Sequence, residues 1–364
     1  MNRPAKLRVA LLFGGQSAEH EISILSARNV LAALDPQRFE AVLVGIDRQG
    51  RWVRQDAARL LESARDPRRV RIEDGPVVSK EVLFAGAAPG AIDVIFPVLH
   101  GTMGEDGTVQ GLFELAGIPY VGAGVLGSAI GMDKDVSKRL LRDAGIPIAA
   151  FHTLRRERFE SDPAAALAQV HDLGLPVFTK PANAGSSIGV RKVAARADLE
   201  AAIRHAFQFD DKVLVEAAVT AREIELAVLG GTPPAVSLAG EIVVRHPDGF
   251  YSYDAKYLDE SGARLELPAR LSPEVLTRAQ AMAVRSFEVL ECEGMARVDL
   301  FLEPDGTLRV NEINTLPGFT AISMYPKLWE LSGIAPRALV TRLIDLALER
   351  ARRRGALKRS AGEP

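Results

Sequence analysis

Cysteine is nearly absent from this 364-residue sequence, and histidine is scarce. The single cysteine, Cys292, cannot form an internal disulfide and cannot supply a cysteine-rich metal site. The six histidines show no paired spacing of the kind that holds zinc, and no serine has the strand–turn–helix setting of a nucleophile elbow. We therefore expect neither zinc chemistry nor acyl-serine chemistry.

Long apolar runs and a basic excess are also missing. No segment approaches the roughly 18 consecutive apolar residues of a membrane span, so no membrane contact is expected. The formal net charge is -2, whereas a protein that binds nucleic acid through its phosphates usually has a basic excess, so no nucleic-acid partner is expected. The basic start of the chain leads into an apolar run and two glycines, which indicates a first strand and not a signal peptide. These features predict a cytoplasmic protein that acts on small molecules.

The length and the residue balance predict a folded protein of two or three domains. Buried-type strands at 7–13, 39–46 and 91–99 alternate with helical patterns, which predicts an α/β domain with a doubly wound, mainly parallel sheet. Ligands bind such sheets at the loops after the carboxyl ends of the strands, here loops 14–21 and 100–107. The chain becomes strand-rich beyond residue 213, where one continuous strand is expected over 235–244.

A predicted hairpin near the C-terminus brings oxygen ligands together. Strand alternation places Arg297 and Asp299 on one face, and on the returning strand Glu312 and Asn314 share a face. The turn at 304–306, Pro-Asp-Gly, brings Asp299 roughly opposite Glu312, within one residue of register. Two carboxylates and an amide oxygen suit Mg²⁺ or Mn²⁺ that carries the phosphates of a nucleotide. An ordinary half-solvated hairpin is the alternative.

A second candidate site is the glycine- and serine-rich loop that follows Lys180 and ends at Gly189. Its backbone N–H groups can point at phosphate oxygens while Lys180 adds a positive charge. Because the lysine precedes the glycines and a strand follows, this is not the usual strand–loop–helix phosphate motif. A plain hairpin loop is the alternative.

The glycines at 122, 124 and 127 match the spacing of a dinucleotide-binding loop. That loop normally opens a strand–helix–strand unit with an acidic residue at the end of the second strand. Here the downstream acid, Asp143, falls in a predicted helix, so dinucleotide binding is disfavoured.

Five groups of segments, in order along nearly the whole chain, resemble the D-alanine–D-alanine ligase family of the ATP-grasp superfamily. They are GGQSAEHE at 14–21, HGTMGEDG at 100–107, KPANAGSSIG at 180–189, DAKY at 254–257, and RVD at 297–299 together with NEINTLPG at 311–318.

The resemblance implies a three-domain ATP-grasp fold. Its parts would be an N-terminal doubly wound parallel-sheet domain (1–130), a central subdomain (131–215) and a C-terminal subdomain (216–364). It also implies ATP-driven ligation of two D-alanines to D-alanyl-D-alanine for peptidoglycan precursor synthesis, with release of ADP and phosphate. A cytoplasmic homodimer is implied as well.

The resemblance further implies which residues hold ATP and two Mg²⁺ or Mn²⁺ ions. Ala218 stands where the family often has an aromatic residue against the adenine. The implied contacts are Lys134 and Lys180 to the phosphates, Glu216 and Val219 to the adenine, Glu223 to the ribose, and Asp299, Glu312 and Asn314 to the metal ions.

For the amino acids, the resemblance implies that Glu19 receives the ammonium group of the first D-alanine. Glu19 would also form a hydrogen-bonded triad with Ser186 and Tyr257. The remaining implied roles are oxyanion stabilisation by Arg297 and the Gly318 amide, a place near the first substrate for His100, and places around the carboxylate of the second substrate for Lys256, Ser323 and Met324.

A carboxylate must become an acyl phosphate before an amine can attack it, and that transfer needs cations near the phosphates. The residues named above supply such cations, so they agree with this chemistry. Two alternatives stay open. One is an ATP-grasp ligase with another acceptor, D-lactate or another amine, although Tyr257 argues against D-lactate. The other is a non-catalytic nucleotide sensor, which would have no reason to keep Asp299, Glu312 and Arg297 together.

The segment 246–262 has an unusual composition for a loop. It contains Tyr251, Tyr253 and Tyr257 among polar residues. Aromatic side chains of this kind gain by packing over a ligand, so we expect a lid that orders when the substrates bind. A permanently ordered crossover loop is the alternative.

Overall fold

Three β-sheets organise the part of the chain that the structure describes, and each is built from one consecutive stretch of sequence. The computed structural model describes residues 6–62, 70–78, 92–244 and 262–358. Lys256, Tyr257 and nearly all of the segment expected to form a lid lie outside these residues. Within the described ranges, no helix combines the length and the apolar character needed to cross a membrane.

The first sheet has the strand order β3-β2-β1-β4, in which β1 pairs in parallel with β2 and β4, and β3 is an antiparallel edge strand. The predicted mainly parallel sheet is therefore confirmed. Its unit consists of β1 (Leu7–Gly14), α1 (His20–Ala33), β2 (Phe39–Ile46), β3 (Trp52–Arg54), α2 (Ala57–Glu62), β4 (Val94–Leu99), α3 (Thr108–Ala116) and α4 (Val125–Met132).

Strand β1 is buried on both faces, as its unbroken apolar run predicts. Val9, Leu11 and Phe13 pack in one core, whereas Ala10 and Leu12 pack in a second core with residues of α3. Helices therefore cover both sides of the sheet, and the carboxyl end of β1 is left open at the glycine loop.

The second sheet is antiparallel throughout, with the strand order β5-β8-β6-β7, and it has a hydrophobic core of its own. The surrounding unit consists of α5 (Lys134–Asp143), β5 (Phe151–Arg155), α6 (Arg156–Ser161), α7 (Pro163–Gln169), β6 (Val177–Pro181), β7 (Arg191–Val193), α8 (Leu199–Ala206) and β8 (Lys212–Ala217).

The third sheet is also antiparallel, with the strand order β12-β11-β9-β13-β14 and β10 paired to β9. Its elements are β9 (Arg222–Leu229), β10 (Ala235–Val236), β11 (Gly240–Val244), β12 (Ala263–Glu266), α9 (Pro273–Val289), β13 (Met295–Leu302), β14 (Leu308–Asn314), α10 (Met324–Leu331) and α11 (Pro336–Gly355).

The prediction of a single strand over 235–244 was wrong, since the structure has two strands there, β10 and β11. The physical reason lies at Ser237, whose hydroxyl accepts a hydrogen bond from the backbone N–H of Ala227 at 2.9 Å. This side-chain contact takes the place of a ladder hydrogen bond, and the regular pairing stops there.

The first and third units share one core. Side chains of β1 and β4 pack in the same cluster as Tyr325 and Leu328 of α10 and Leu343 of α11. This shared core fixes the glycine loop after β1 relative to the hairpin of β13 and β14, and the functional candidates lie between them.

Candidate active site

Two adjoining cavities lie where the three units meet. The first opens between the loops after β1 and β4, the 180–189 loop and the segment 312–324, and the second lies between the central sheet and β9, β13 and β14. Seven residues line both cavities: Lys134, Ala184, Gly185, Ser186, Glu225, Arg297 and Glu312. The two cavities therefore adjoin along these seven residues, which form their shared wall.

Most of the predicted site residues line these cavities. The first cavity is lined by Glu19, His100, Lys134, Ser186, Arg297, Glu312, Asn314, Gly318, Ser323 and Met324. The second is lined by Lys134, Lys180, Ser186, Glu216, Val219, Glu223, Arg297, Asp299 and Glu312. Ala218 does not line either, and its backbone N–H donates to the carbonyl of Pro176 at 3.0 Å.

Three carboxylates lie side by side on three neighbouring strands. Asp299 on β13 pairs in register with Glu225 on β9 and with Glu312 on β14. The predicted opposition of Asp299 and Glu312 is thus confirmed. Arg297 donates two hydrogen bonds of 2.7 Å to Asp299, and its Nε lies 3.1 Å from Glu225. Like charges on directly opposite residues of neighbouring strands repel one another, so this row of three carboxylates is stabilised by the cations beside it.

The donor atoms of this row can be compared with what a divalent ion requires. Asp299, Glu312 and Asn314 offer the hard oxygen donors that Mg²⁺ and Mn²⁺ prefer. Within the described part of the chain, no three His, Cys, Asp or Glu side chains are grouped so that they could hold a metal by themselves. Mg²⁺ in phosphate-transfer sites is commonly held by one or two carboxylates plus substrate phosphates, and this donor set fits that pattern.

Lys134 and Lys180 supply positive charge along the second cavity. The Nζ of Lys134 donates to the carbonyl of Ala184 at 2.7 Å and lies 3.8 Å from Glu312. The Nζ of Lys180 donates to Glu216 at 2.6 Å. Burial lowers the pKa of Lys180, but the Glu216 carboxylate outweighs that effect and the pKa is raised.

Glu216 is held by two ammonium groups and not one. Its second oxygen lies 2.7 Å from the Nζ of Lys138, and the residue is 1% exposed. Burial alone would raise the pKa of Glu216, but Lys138 and Lys180 lower it to about 2. Glu216 is therefore a permanent anion in the wall of the second cavity.

The 180–189 loop reaches across to the first unit. The hydroxyl of Ser186 donates to the carboxylate of Glu19, the contact expected for two members of the predicted triad. Ser186 and Ser187 have φ values of 49° and 59°, a left-handed conformation that is costly for side chains other than glycine. Such strain is typical of ligand-binding loops whose surroundings hold them in place.

His100 and Glu105 form the buried floor of the first cavity beside Glu19. The Nε2 of His100 has no hydrogen-bond partner among the described residues, and burial lowers the pKa of this side chain, so the ring is neutral at pH 7. Glu105 accepts a hydrogen bond of 2.7 Å from the backbone N–H of Gly101. Burial, together with the Glu19 carboxylate, raises the pKa of Glu105 to about 8.

Replacing Glu105 with glutamine should stabilise the protein increasingly as the pH rises. The folded state keeps a proton on Glu105 that the unfolded chain releases at its ordinary pKa of 4.5, so the wild-type free energy of unfolding falls between that value and about 8. Glutamine cannot ionise, so we expect the variant's advantage to grow by roughly 1–3 kcal/mol between pH 5 and pH 9. Urea unfolding of both proteins across that range measures the difference. Glu200→Gln on the exposed face of α8 is the control, and an advantage of Glu105→Gln that does not change with pH would disprove the assignment.

The segment after β14 is fixed by contacts with the first unit and with itself. The backbone N–H of Phe319 donates to Ser26 of α1 at 3.0 Å, and the N–H of Thr320 donates to the hydroxyl of Ser323 at 2.9 Å. A Cβ at Gly318 would lie 2.9 Å from the Ser323 hydroxyl oxygen, so a larger residue here would displace the Ser323 side chain. Gly318 itself lines the first cavity.

The glycines at 122, 124 and 127 lie away from both cavities and serve packing. A Cβ at Gly127 would lie 2.3 Å from the carbonyl oxygen of Glu291, and one at Gly124 would contact Arg354 and Glu293. These contacts explain the glycine spacing without a dinucleotide.

Sequence reasoning missed Glu105, Lys138 and Glu225. Glu225 had a signal, since it follows Glu223 by two residues and therefore shares its face of β9. Lys138 follows Lys134 by one helical turn, which places both on one side of α5. Glu105 lies inside the 100–107 segment, but its proximity to Glu19 is a tertiary contact that has no local signature.

Comparison with known proteins gives two family matches and several full-length relatives. The family described as "D-ala D-ala ligase N-terminus" matches residues 8–123, and "D-ala D-ala ligase C-terminus" matches residues 140–345. The D-alanine–D-alanine ligase A of Chromobacterium violaceum is 54% identical over 98% of this chain and 99% of its own length.

Two solved structures are similar over most of their length. The D-alanine–D-alanine ligase of Coxiella burnetii is 37% identical with a TM-score of 0.81, over 96% of each chain. The VanG D-Ala:D-Ser ligase of Enterococcus faecalis is also 37% identical, with a TM-score of 0.82, over 94% of this chain and 100% of that one.

Proposed function

The chain belongs to the D-alanine–D-alanine ligase family, and from this premise we propose which of its residues perform the reaction. It is an ADP-forming ligase with the ATP-grasp fold, and it uses ATP to join D-alanine to D-alanine for peptidoglycan synthesis. The observation that supports our assignment most strongly is the shared wall of the two cavities. It would bring a substrate carboxylate next to the terminal phosphate of a nucleotide.

The second cavity holds ATP in this proposal. Lys134 and Lys180 contact the phosphates. Asp299, Glu312 and Asn314 would hold two Mg²⁺ or Mn²⁺ ions, which would neutralise phosphate charge. Because Ala218 does not line the cavity, the adenine is not stacked there. The remaining contacts are Glu216 and Val219 with the adenine and Glu223 with the ribose.

The first cavity holds the two D-alanines. Glu19, kept in place by Ser186, receives the ammonium group of the first, and neutral His100 lies near the same substrate. The second substrate's carboxylate lies by Ser323 and Met324, with Lys256 as a further partner. Tyr257 completes the triad with Glu19 and Ser186.

The chemistry follows from the charges along the shared wall. The first carboxylate attacks the γ-phosphate, ADP leaves, and the product is an acyl phosphate. The amine of the second D-alanine then attacks the carbonyl, and the developing oxyanion is stabilised by Arg297 and the Gly318 N–H. The bond between the carbonyl carbon and the phosphate oxygen then breaks, phosphate leaves, the nitrogen releases a proton, and the peptide bond remains. Water must be excluded meanwhile, or the acyl phosphate hydrolyses.

We propose three further properties on the strength of the family. The chain acts in the cytoplasm, it forms a homodimer, and it divides into domains 1–130, 131–215 and 216–364. The three sheets support the threefold division, and the change of sheet falls between Ala217 and Arg222.

Phosphate release from ATP tests the function. We expect release with D-alanine, and none with L-alanine, with D-alanine replaced by D-lactate, or without an amino acid. Adding D-serine or D-lactate to D-alanine tests the acceptor, and formation of D-alanyl-D-alanine as the main product is expected. Equal release with every additive would contradict the assignment.

Lys180→Ala should raise the KM for ATP far more than the KM for D-alanine. A charge-assisted contact to phosphate is lost, and losses of this kind are roughly 1.5–3 kcal/mol, or about 10- to 100-fold in affinity. Steady-state kinetics with each substrate varied in turn measures the effect. Lys192→Ala removes an exposed lysine from β7 of the same sheet and should change neither KM. A rise confined to the KM for D-alanine would contradict the assignment of Lys180 to the ATP phosphates.

A further inference from the structure

A buried lysine lies behind the nucleotide cavity and has no part in the reaction described above. Lys138 is 1% exposed, lies one turn after Lys134 on α5, and does not line either cavity. Burying an ammonium group without a purpose is costly, since the charge loses its hydration. Its anionic neighbour is Glu216, whose other oxygen is bonded to Lys180.

We propose that Lys138 is a positioning residue for ATP, because it neutralises buried Glu216 and so leaves Lys180 able to move from that carboxylate to a nucleotide phosphate. The inference rests on the proposed function only in taking ATP as the ligand of the second cavity.

The charges of Lys138, Glu216 and Lys180 support the proposal. Burial lowers the pKa of Lys138, and the Glu216 carboxylate opposes that effect. With both lysines protonated, one carboxylate faces two ammonium groups, and the three side chains have a net charge of +1. If Lys180 turned toward a phosphate in the second cavity, Glu216 would keep Lys138 at 2.7 Å. Without Lys138, the same movement would leave the buried Glu216 carboxylate with neither lysine beside it, which is strongly unfavourable.

The two lysines differ in their freedom to move. Lys180 lines the second cavity beside Ser187 and Val190, so its ammonium group has open space within reach. Lys138 is enclosed, and the start of its helix is fixed by Lys212, which pairs with Asp133 and Asp135. Lys138 is thus suited to remain on Glu216 while Lys180 moves.

The first test replaces Lys138 with methionine, which has a similar length and no charge. We expect the dissociation constant of Mg-ATP to rise about 10- to 100-fold, as for loss of one charge-assisted contact, while the KM for D-alanine changes little. Equilibrium binding of Mg-ATP is measured directly, so the result does not depend on ligation. Arg139→Met, which removes a half-exposed cation from the next position of α5, is the matched control and should leave ATP binding unchanged.

The second test combines Lys138→Met with Glu216→Gln. Once the carboxylate is gone, Lys180 no longer has its ion pair with residue 216, so Lys138→Met in the Glu216→Gln background should change ATP binding by less than about threefold, near the limit of additivity. The double variant should also melt above Glu216→Gln alone, in which Lys138 is buried without an anion.

Several results would overturn the inference. One is unchanged ATP binding in Lys138→Met. Another is an equal loss of ATP affinity when Lys138→Met is made in the wild-type protein and in Glu216→Gln, as expected of a purely structural lysine. If Lys138→Met does not fold, Lys138→Gln takes its place with the same expectation, and the comparison of Glu216→Gln with the double variant still decides. Failure of the wild-type protein to ligate D-alanine, with ATP binding intact, would count against the proposed function and not against this inference.

Discussion

Exchanging Glu312 for glutamine, or Asp299 for asparagine, should lower kcat roughly 10²- to 10³-fold or more, because each change removes a negative ligand from the metal-assisted phosphate transfer. Both substitutions keep the side-chain volume. They differ in their surroundings, since Asp299 also accepts two hydrogen bonds from Arg297 whereas Glu312 lies 3.8 Å from Lys134.

The fold should survive both substitutions. Each removes one of three carboxylates that repel one another along the row, which offsets part of the lost attraction to the neighbouring cations. Circular dichroism should therefore stay close to that of the parent, and the thermal midpoint should fall less for Glu312→Gln than for Asp299→Asn, which loses its ion pair with Arg297. Glu303→Gln, on the same hairpin but outside both cavities, should have full activity. Near-normal turnover of both site variants at modest Mg²⁺ would contradict the metal assignment.

Arg297→Met should impair both catalysis and stability. Arg297 balances Asp299 and Glu225, and removing one partner of a buried ion cluster typically costs about 3–5 kcal/mol. The loss of an oxyanion donor should separately lower kcat by roughly 10²- to 10³-fold. Urea unfolding and single-turnover kinetics, both at a temperature well below the melting transition, measure the two effects.

Two companion variants separate catalysis from folding in that experiment. Arg297→Lys keeps the charge but not the two-pronged contact with Asp299, so it should retain more stability than methionine and still react slowly. Arg309→Met removes a more exposed arginine of β14, paired with Glu303, and should cost no more than about 1 kcal/mol. Full activity in Arg297→Met would exclude the oxyanion role.

The hairpin of β13 and β14 could be predicted from sequence because its determinants are local. The alternation of apolar and polar residues defines the faces, and the Pro-Asp-Gly turn restricts the register, so Asp299 was expected opposite Glu312 and lies there. The first sheet was predictable for a similar reason, since an unbroken apolar strand such as β1 has to be covered on both faces.

Contacts between distant segments could not be predicted in this way. The enclosure of Glu216 by Lys138 and the approach of Glu105 to Glu19 depend on how α5, β8 and the loops after β1 and β4 pack together. No periodicity or turn signal reports such packing. The prediction of one strand over 235–244 was wrong for a more local reason, because the Ser237 hydroxyl replaces a backbone acceptor for the N–H of Ala227.

The expected lid over 246–262 remains a prediction. Tyr251, Tyr253 and Tyr257 lie outside the described residues, and so does Lys256. The assignments of Lys256 to the second substrate and of Tyr257 to the triad with Glu19 and Ser186 therefore rest on the resemblance.

The central claim, ligation through an acyl phosphate formed at the shared wall of the two cavities, is tested most directly by isotope transfer. The protein is given ATP and D-alanine labelled with ¹⁸O in both carboxylate oxygens, in unlabelled water, and the products are analysed by mass spectrometry. The mechanism predicts that each released phosphate carries one ¹⁸O and that the new peptide carbonyl carries the other. Unlabelled phosphate accompanying D-alanyl-D-alanine would contradict it.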